Sequence, residues 1–162
     1  MAEIEVFVSH SSKDKKIAQA FVQFLRAGAA VTRKQIRCTS DPVSGFKKGT
    51  IIAKALRKDI DDCYYFIPLI TPRSLGSQWV LIEIGAAWGM DKEIIPVLFA
   101  KRKLMLPDVL NGILYCNITQ LDELTQFAEE LAQKIWYKRD IPSSEQIENA
   151  ARVFLSDTKN LF

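Results

Sequence analysis

The chain has 162 residues, of which 48% are hydrophobic and 25% charged, with only 7 Gly and 6 Pro; this composition suits one folded core with little disorder. A chain of this length buries roughly 68–70% of the surface its unfolded form exposes, so neither a disulfide nor a metal is needed to hold it together. The net charge of +3 is too small to point to nucleic acid, and short basic groups such as Arg33-Lys34 and Lys47-Lys48 read as solvated surface.

Cys38, Cys63 and Cys116 are odd in number, form no CxxC and have only His10 for company. That excludes a zinc knuckle and a secreted disulfide scaffold, and it points to a reducing, cytoplasmic setting. The N-terminal apolar run begins with acidic residues rather than basic ones, which is not the pattern of a signal peptide. No apolar run approaches the roughly 18–20 residues that span a bilayer, so no membrane is expected as a partner.

Along the chain, Ile4 to Val8 is a β-branched and aromatic run, followed by a polar turn with Ser11 and Ser12 as helix caps. Ile17, Phe21, Phe24 and Leu25 then recur at helical spacing, which predicts a helix over 13–27 closed by Gly28. A short strand is expected over 35–39, then an exposed loop from Ser40 to Gly49, and then a helix carrying Ile51, Ile52, Ala55, Leu56 and Ile60. The continuous apolar run from Cys63 to Ile70 reads as a strand buried on both faces, as in a parallel sheet. A helix over 78–90, a fourth strand over 94–99, a weaker fifth over 112–117 and a helix over 121–136 complete the pattern. Residues 1–138 form one domain on this reading, and residues 139–162 form an appended helix or a linker. Such alternation predicts an α/β sandwich, doubly wound, with ligands outside the carboxyl ends of the strands.

One residue is discordant. Glu83 is a lone carboxylate in the apolar stretch 78–88, and a helix so apolar all round is expected to be mostly buried. Burying such a group costs several kcal/mol unless it is paired or lines a cavity. Trp79 lies one turn before it on the same face. From these residues alone, a surface ion pair and a functional carboxylate both remain open.

Four pieces occur in order: the strand end Val6-Phe7-Val8-Ser9-His10-Ser11, the loop Ser40-Asp41-Pro42-Val43-Ser44-Gly45, the strand Tyr65 to Ile70 with its Ser-containing turn, and Trp79 to Ile84. Together they resemble a Toll/interleukin-1 receptor (TIR) domain of the bacterial branch, over residues 3–138. The resemblance implies a flavodoxin-like five-stranded parallel sheet and, for many members, cleavage of NAD+ at the nicotinamide–ribose bond. It implies Glu83 as the catalytic carboxylate, with Ser9, His10, Ser11, Ser40, Asp41, Phe46 and Trp79 lining the substrate. NAD+ is then a substrate, with no prosthetic group and no metal. It also implies self-assembly of TIR domains through the loop from Ser40 to Gly49, and a place in bacterial immunity. Two departures touch that loop: Ile36-Arg37-Cys38-Thr39 replaces the usual acidic-aromatic strand, and Val43-Ser44-Gly45 replaces Pro-Gly. A non-catalytic adaptor and a nucleoside deoxyribosyltransferase-like enzyme are the alternatives on the same architecture. A phosphorelay receiver is excluded, because Ser9-His10 and Ile70-Thr71 stand where it needs carboxylates.

Overall fold

A computed structural model describes residues 4–38, 52–135 and 140–161. The β-branched and aromatic runs become parallel strands: β1 (Val6–Ser9), β2 (Ile36–Cys38), β3 (Tyr65–Ile70), β4 (Glu93–Ile94), β5 (Val97–Leu98) and β6 (Cys116–Asn117). Their order across the sheet is β2-β1-β3-β5-β6, with β4 also pairing with β3. The helices are α1 (Lys15–Gly28), α2 (Ile52–Asp62), α3 (Gln78–Gly89), α4 (Leu121–Ile135) and α5 (Ser144–Thr158). This is the expected parallel sheet flanked by helices.

Alternation along the strands sorts side chains onto two faces. Val6, Val8, Ile67, Leu69 and Val97 face α1, α4 and α5. Phe7, Phe66, Ile70 and Leu98 face α2 and α3, with the Phe7 and Phe66 rings stacked at 5.4 Å. The segment read as an appended helix or linker forms α5, which packs on α1 and α4 and places Phe154 against Phe21, Phe24 and Phe99.

Three expectations change in detail. The run 94–99 is not one strand but two short pieces, β4 and β5. Phe66 pairs with Ile94 and Leu69 with Val97, so one unbroken register sets Pro68 opposite Pro96. The Ile95 amide donates to the Phe66 carbonyl (2.9 Å), which places the Ile95 carbonyl where a residue-68 N–H would reach it. Proline has none, so the ladder opens there. The fifth strand shrinks to Cys116–Asn117. Gly28 does end α1, but for its size: a Cβ there would sit 3.3 Å from the Phe24 ring and 3.4 Å from the Ala150 Cβ. The left-handed residue lies two positions on, at Ala30 (φ 54°).

Helix α3 departs most. Only Val80, Glu83, Ile84 and Ala87 are buried, a single stripe. Ile82 is 59% and Trp88 61% exposed, with Leu81 also exposed. An apolar composition all round therefore does not make a helix buried all round.

Candidate active site

Strand alternation that turns Phe7 toward α3 also turns Ser9 that way. Ser77 caps α3, its hydroxyl accepting from the Val80 amide at 3.4 Å, and fixes where the helix begins. The buried stripe of α3 then delivers Glu83 to the carboxyl end of β1, where the Ser9 hydroxyl donates a hydrogen bond to Glu83 Oε2.

Glu83 is 2% exposed, and its Oε1 has no hydrogen-bond partner among the described residues. No ion pair reaches it among the described residues. Burial therefore tells against the surface-ion-pair reading. Burial pushes the carboxyl up to about 7, while the Ser9 hydrogen bond and, to a lesser degree, the neighbouring Trp79 indole favour the charged form. Near neutrality the group exchanges between acid and carboxylate, which is the range of working acids and bases.

His10 follows β1 and is buried. Pairing of Val8 with Cys38 brings β2 alongside, so His10 Nδ1 lies 3.6 Å from Cys38 Sγ. Nε2 has no partner. Burial lowers the imidazole below its ordinary value, against opposing effects from the Val8 carbonyl and the Asp14 charge. A neutral ring with one unsatisfied buried nitrogen can accept or donate one hydrogen bond, but it adds no positive charge beside Glu83.

Ser11 is buried but already engaged: its hydroxyl accepts from the Lys13 amide at 3.3 Å and caps the single turn Ser12–Asp14. Trp79 is 38% exposed, one turn before Glu83. The structure thus brings Ser9, His10, Trp79 and Glu83 to one end of the sheet, while Ser40, Asp41 and Phe46 lie outside the described residues.

Sequence reasoning passed over two features. Cys38 beside His10 follows from parallel pairing of two strand ends, which no local spacing reveals. The second is a cluster around Asp14, where the Thr71 hydroxyl donates to Oδ2 (2.6 Å) and Arg73 Nη1 to Oδ1 (3.0 Å). These groups lie 57 and 59 residues from Asp14 along the chain, and the signal available was the Thr-Pro-Arg-Ser turn following a buried strand.

Among the described residues no three His, Cys, Asp or Glu side chains gather as a metal site, and no helix is long and apolar enough to cross a membrane.

Comparison with known proteins agrees with this architecture. The TIR domain of the Toll-related receptor TRR-2 from Hydra magnipapillata superposes with a TM-score of 0.63 at 17% identity, over 81% of this chain and 97% of that one. The uncharacterized protein YddK of Bacillus subtilis (strain 168) is 34% identical over 86 residues, covering 53% of this chain. Only 32% of YddK is matched, so this chain spans about a third of that relative's length. The sequence pattern of the TIR domain matches residues 6–135, from the first residue of β1 to the last of α4. The chain belongs to the TIR domain family.

Proposed function

We propose that this TIR domain cleaves the nicotinamide–ribose bond of NAD+, with Glu83 as the group that meets the reacting carbon. The carrying observation is Glu83 itself: buried, held through one oxygen by Ser9, and, among the described residues, with no cation beside it and no partner for its other oxygen. A helix that needed only stability would not keep such a group, because an unpaired buried carboxylate is costly. In the reaction the C1′–N bond breaks, its electron pair neutralises the nicotinamide ring, and positive charge gathers at C1′, where water, or an atom of the ADP-ribose itself, bonds and loses its proton to give ADP-ribose or a cyclic isomer. A neutral leaving group needs no general acid, so one carboxylate suffices where glycosides need two. Glu83 in its charged form, in a site with little water, stabilises that cation electrostatically or binds the ribose hydroxyls. Ser9 positions it, and His10 Nε2 offers one further hydrogen bond.

TIR domains self-associate. In this chain we assign part of that association to the exposed face of α3, where Leu81, Ile82 and Trp88 leave apolar area that a second copy would cover. That face also favours a second reading, an adaptor that signals by contact alone. We place both in the cytoplasm, where NAD+ is available.

The test is nicotinamide release from NAD+ at pH 8, with the protein concentrated enough to assemble, for the native chain and for Glu83→Gln and Glu83→Ala. Turnover that falls by at least about 10²-fold in both folded variants supports the enzyme. Absence of turnover in the assembled native chain overturns it and leaves the adaptor.

A further inference from the structure

Two connections leave the carboxyl end of the sheet on either side of the Ser9–Glu83 pair. From β1 the chain passes through the single turn Ser12–Asp14 into α1, on one face of the sheet. From β3 it passes through Thr71 and the single turn Ser74–Gly76 into α3, on the other face. The β1–β3 ladder ends at Ser9 and Pro68, so sheet pairing alone does not fix where α3 starts relative to Ser9. Beyond the ladder the two connections are tied by Asp14. Its side chain is fully buried, with Oδ2 accepting from the Thr71 hydroxyl at 2.6 Å and Oδ1 from Arg73 Nη1 at 3.0 Å.

Both ends of this tie are stiff. On the β1 side the Asp14 amide donates to the Ser11 carbonyl at 2.8 Å, and Ser11 caps the turn. On the β3 side Thr71 Oγ1 also accepts from the Arg73 and Ser74 amides, at 3.1 and 3.0 Å, so the hydroxyl uses its one donor and both acceptor positions. Ser74 Oγ accepts from the Thr71 amide at 2.8 Å. The Ser77 amide in turn donates to the Ser74 carbonyl at 3.0 Å, and Ser77 is the cap from which α3 runs to Glu83. Thr71 and Ser74 are buried, so water does not compete for these bonds. A displacement of Thr71 is therefore passed on to the start of α3 instead of being absorbed in the turn. Charge is not the route from Asp14 to Glu83, because burial, then Ser9 and Trp79, set that carboxyl. We propose that Asp14 and Thr71 are positioning residues of the Glu83 site, their hydrogen bond holding the two connections in the arrangement that seats Ser9 on the Glu83 carboxylate. Both act through Ser9 and Glu83 rather than on the substrate. The effect on turnover rests on the proposed reaction, whereas the geometry is testable without it.

Thr71→Val removes the bond with little change of shape, and Thr71→Ser keeps it. Asp14 and Arg73 stay native, so no buried charge loses its cation. The readouts on the full chain are the carbon-13 titration of the Glu83 carboxyl, assigned with Glu83→Gln, and kcat and KM for nicotinamide release from NAD+. In Thr71→Val the titration midpoint should rise above the native one, because the Ser9 bond that supports the ionised form is loosened. With it kcat should fall about tenfold while KM stays within about twofold. Thr71→Ser should restore both. Should Thr71→Val not fold, Thr71→Cys, a weaker donor of similar size, takes its place in the same comparison. A folded variant with the native midpoint, or with the native kcat in an active chain, overturns the proposal and leaves the bond to stability alone. A midpoint that falls toward the ordinary carboxylate range also overturns it, as general loosening that lets water in. Absence of turnover in the native chain would remove the reaction, and the carboxyl titration would still decide the positioning.

Discussion

Glu83 and His10 sit at the same end of the sheet, and burial moves their pKa values in opposite directions. Folded Glu83 keeps its proton up to about pH 7, whereas the unfolded side chain releases it near 4.5. The folded state therefore binds more protons between those values, and stability from this group is complete below about 4.5 and lost as pH rises through about 7. His10 runs the other way, since its folded pKa lies below 6.5: its contribution is present above 6.5 and lost as pH falls. Glu83→Gln keeps the shape and the acceptor for Ser9 but cannot ionise. Urea unfolding is expected to show this variant stabler than the native chain at pH 8, by up to about 3 kcal/mol, with the advantage gone at pH 4. An advantage of the same size at both pH values would mean that the carboxylate is not what the folded state resists. The unfavourable ion lies where chemistry is proposed, as expected of a site whose local cost is met by the rest of the core.

At the scale of elements, the strongest sequence signals were those set by period. Ile17, Phe21, Phe24 and Leu25 gave α1, and the apolar run to Ile70 gave β3, because both patterns follow from which faces are buried. The C-terminal helix carried a signal that went unread. Ser143 and Gln146 form a capping box, with bonds of 3.2 and 2.8 Å, and place the start of α5 at Ser144. The split of β4 from β5 was hidden for another reason: it depends on Pro68 standing across from Pro96, a long-range register. Glu83 was legible as an oddity, yet its Ser9 partner was not, since 74 residues separate the two. The exposed side of α3 was misread because composition carries no information about which neighbours exist. Register leads to a test. Pro68→Ala restores an N–H facing the Ile95 carbonyl, so hydrogen exchange should show a protected amide at residue 68. Stability should change by less than about 1 kcal/mol, since a net hydrogen bond of about 1 kcal/mol is offset by a freer unfolded chain. A fast-exchanging amide there would reject the register argument.

The molecule as a whole is two cores on one sheet, and the larger is closed by α5. Phe154 meets Phe21, Phe24 and Phe99 with ring centroids 5.8–6.4 Å apart. Phe154→Ala is expected to cost about 3–5 kcal/mol in denaturant unfolding, comparable with much of a domain's total stability. A loss under about 1 kcal/mol would show that α5 only rests on the surface. The smaller core, between α2, α3 and the sheet, holds Glu83, and there the half-titrated carboxyl has a further thermodynamic meaning. A ligand that brings positive charge beside it, as the nicotinamide ring of NAD+ does, favours the ionised form and must drive a proton into solution on binding. Calorimetry at pH 6.5 in buffers of different ionisation enthalpy should register that release as a fraction of one proton per site. At pH 9, where the carboxyl is already ionised, the same titration should become independent of the buffer.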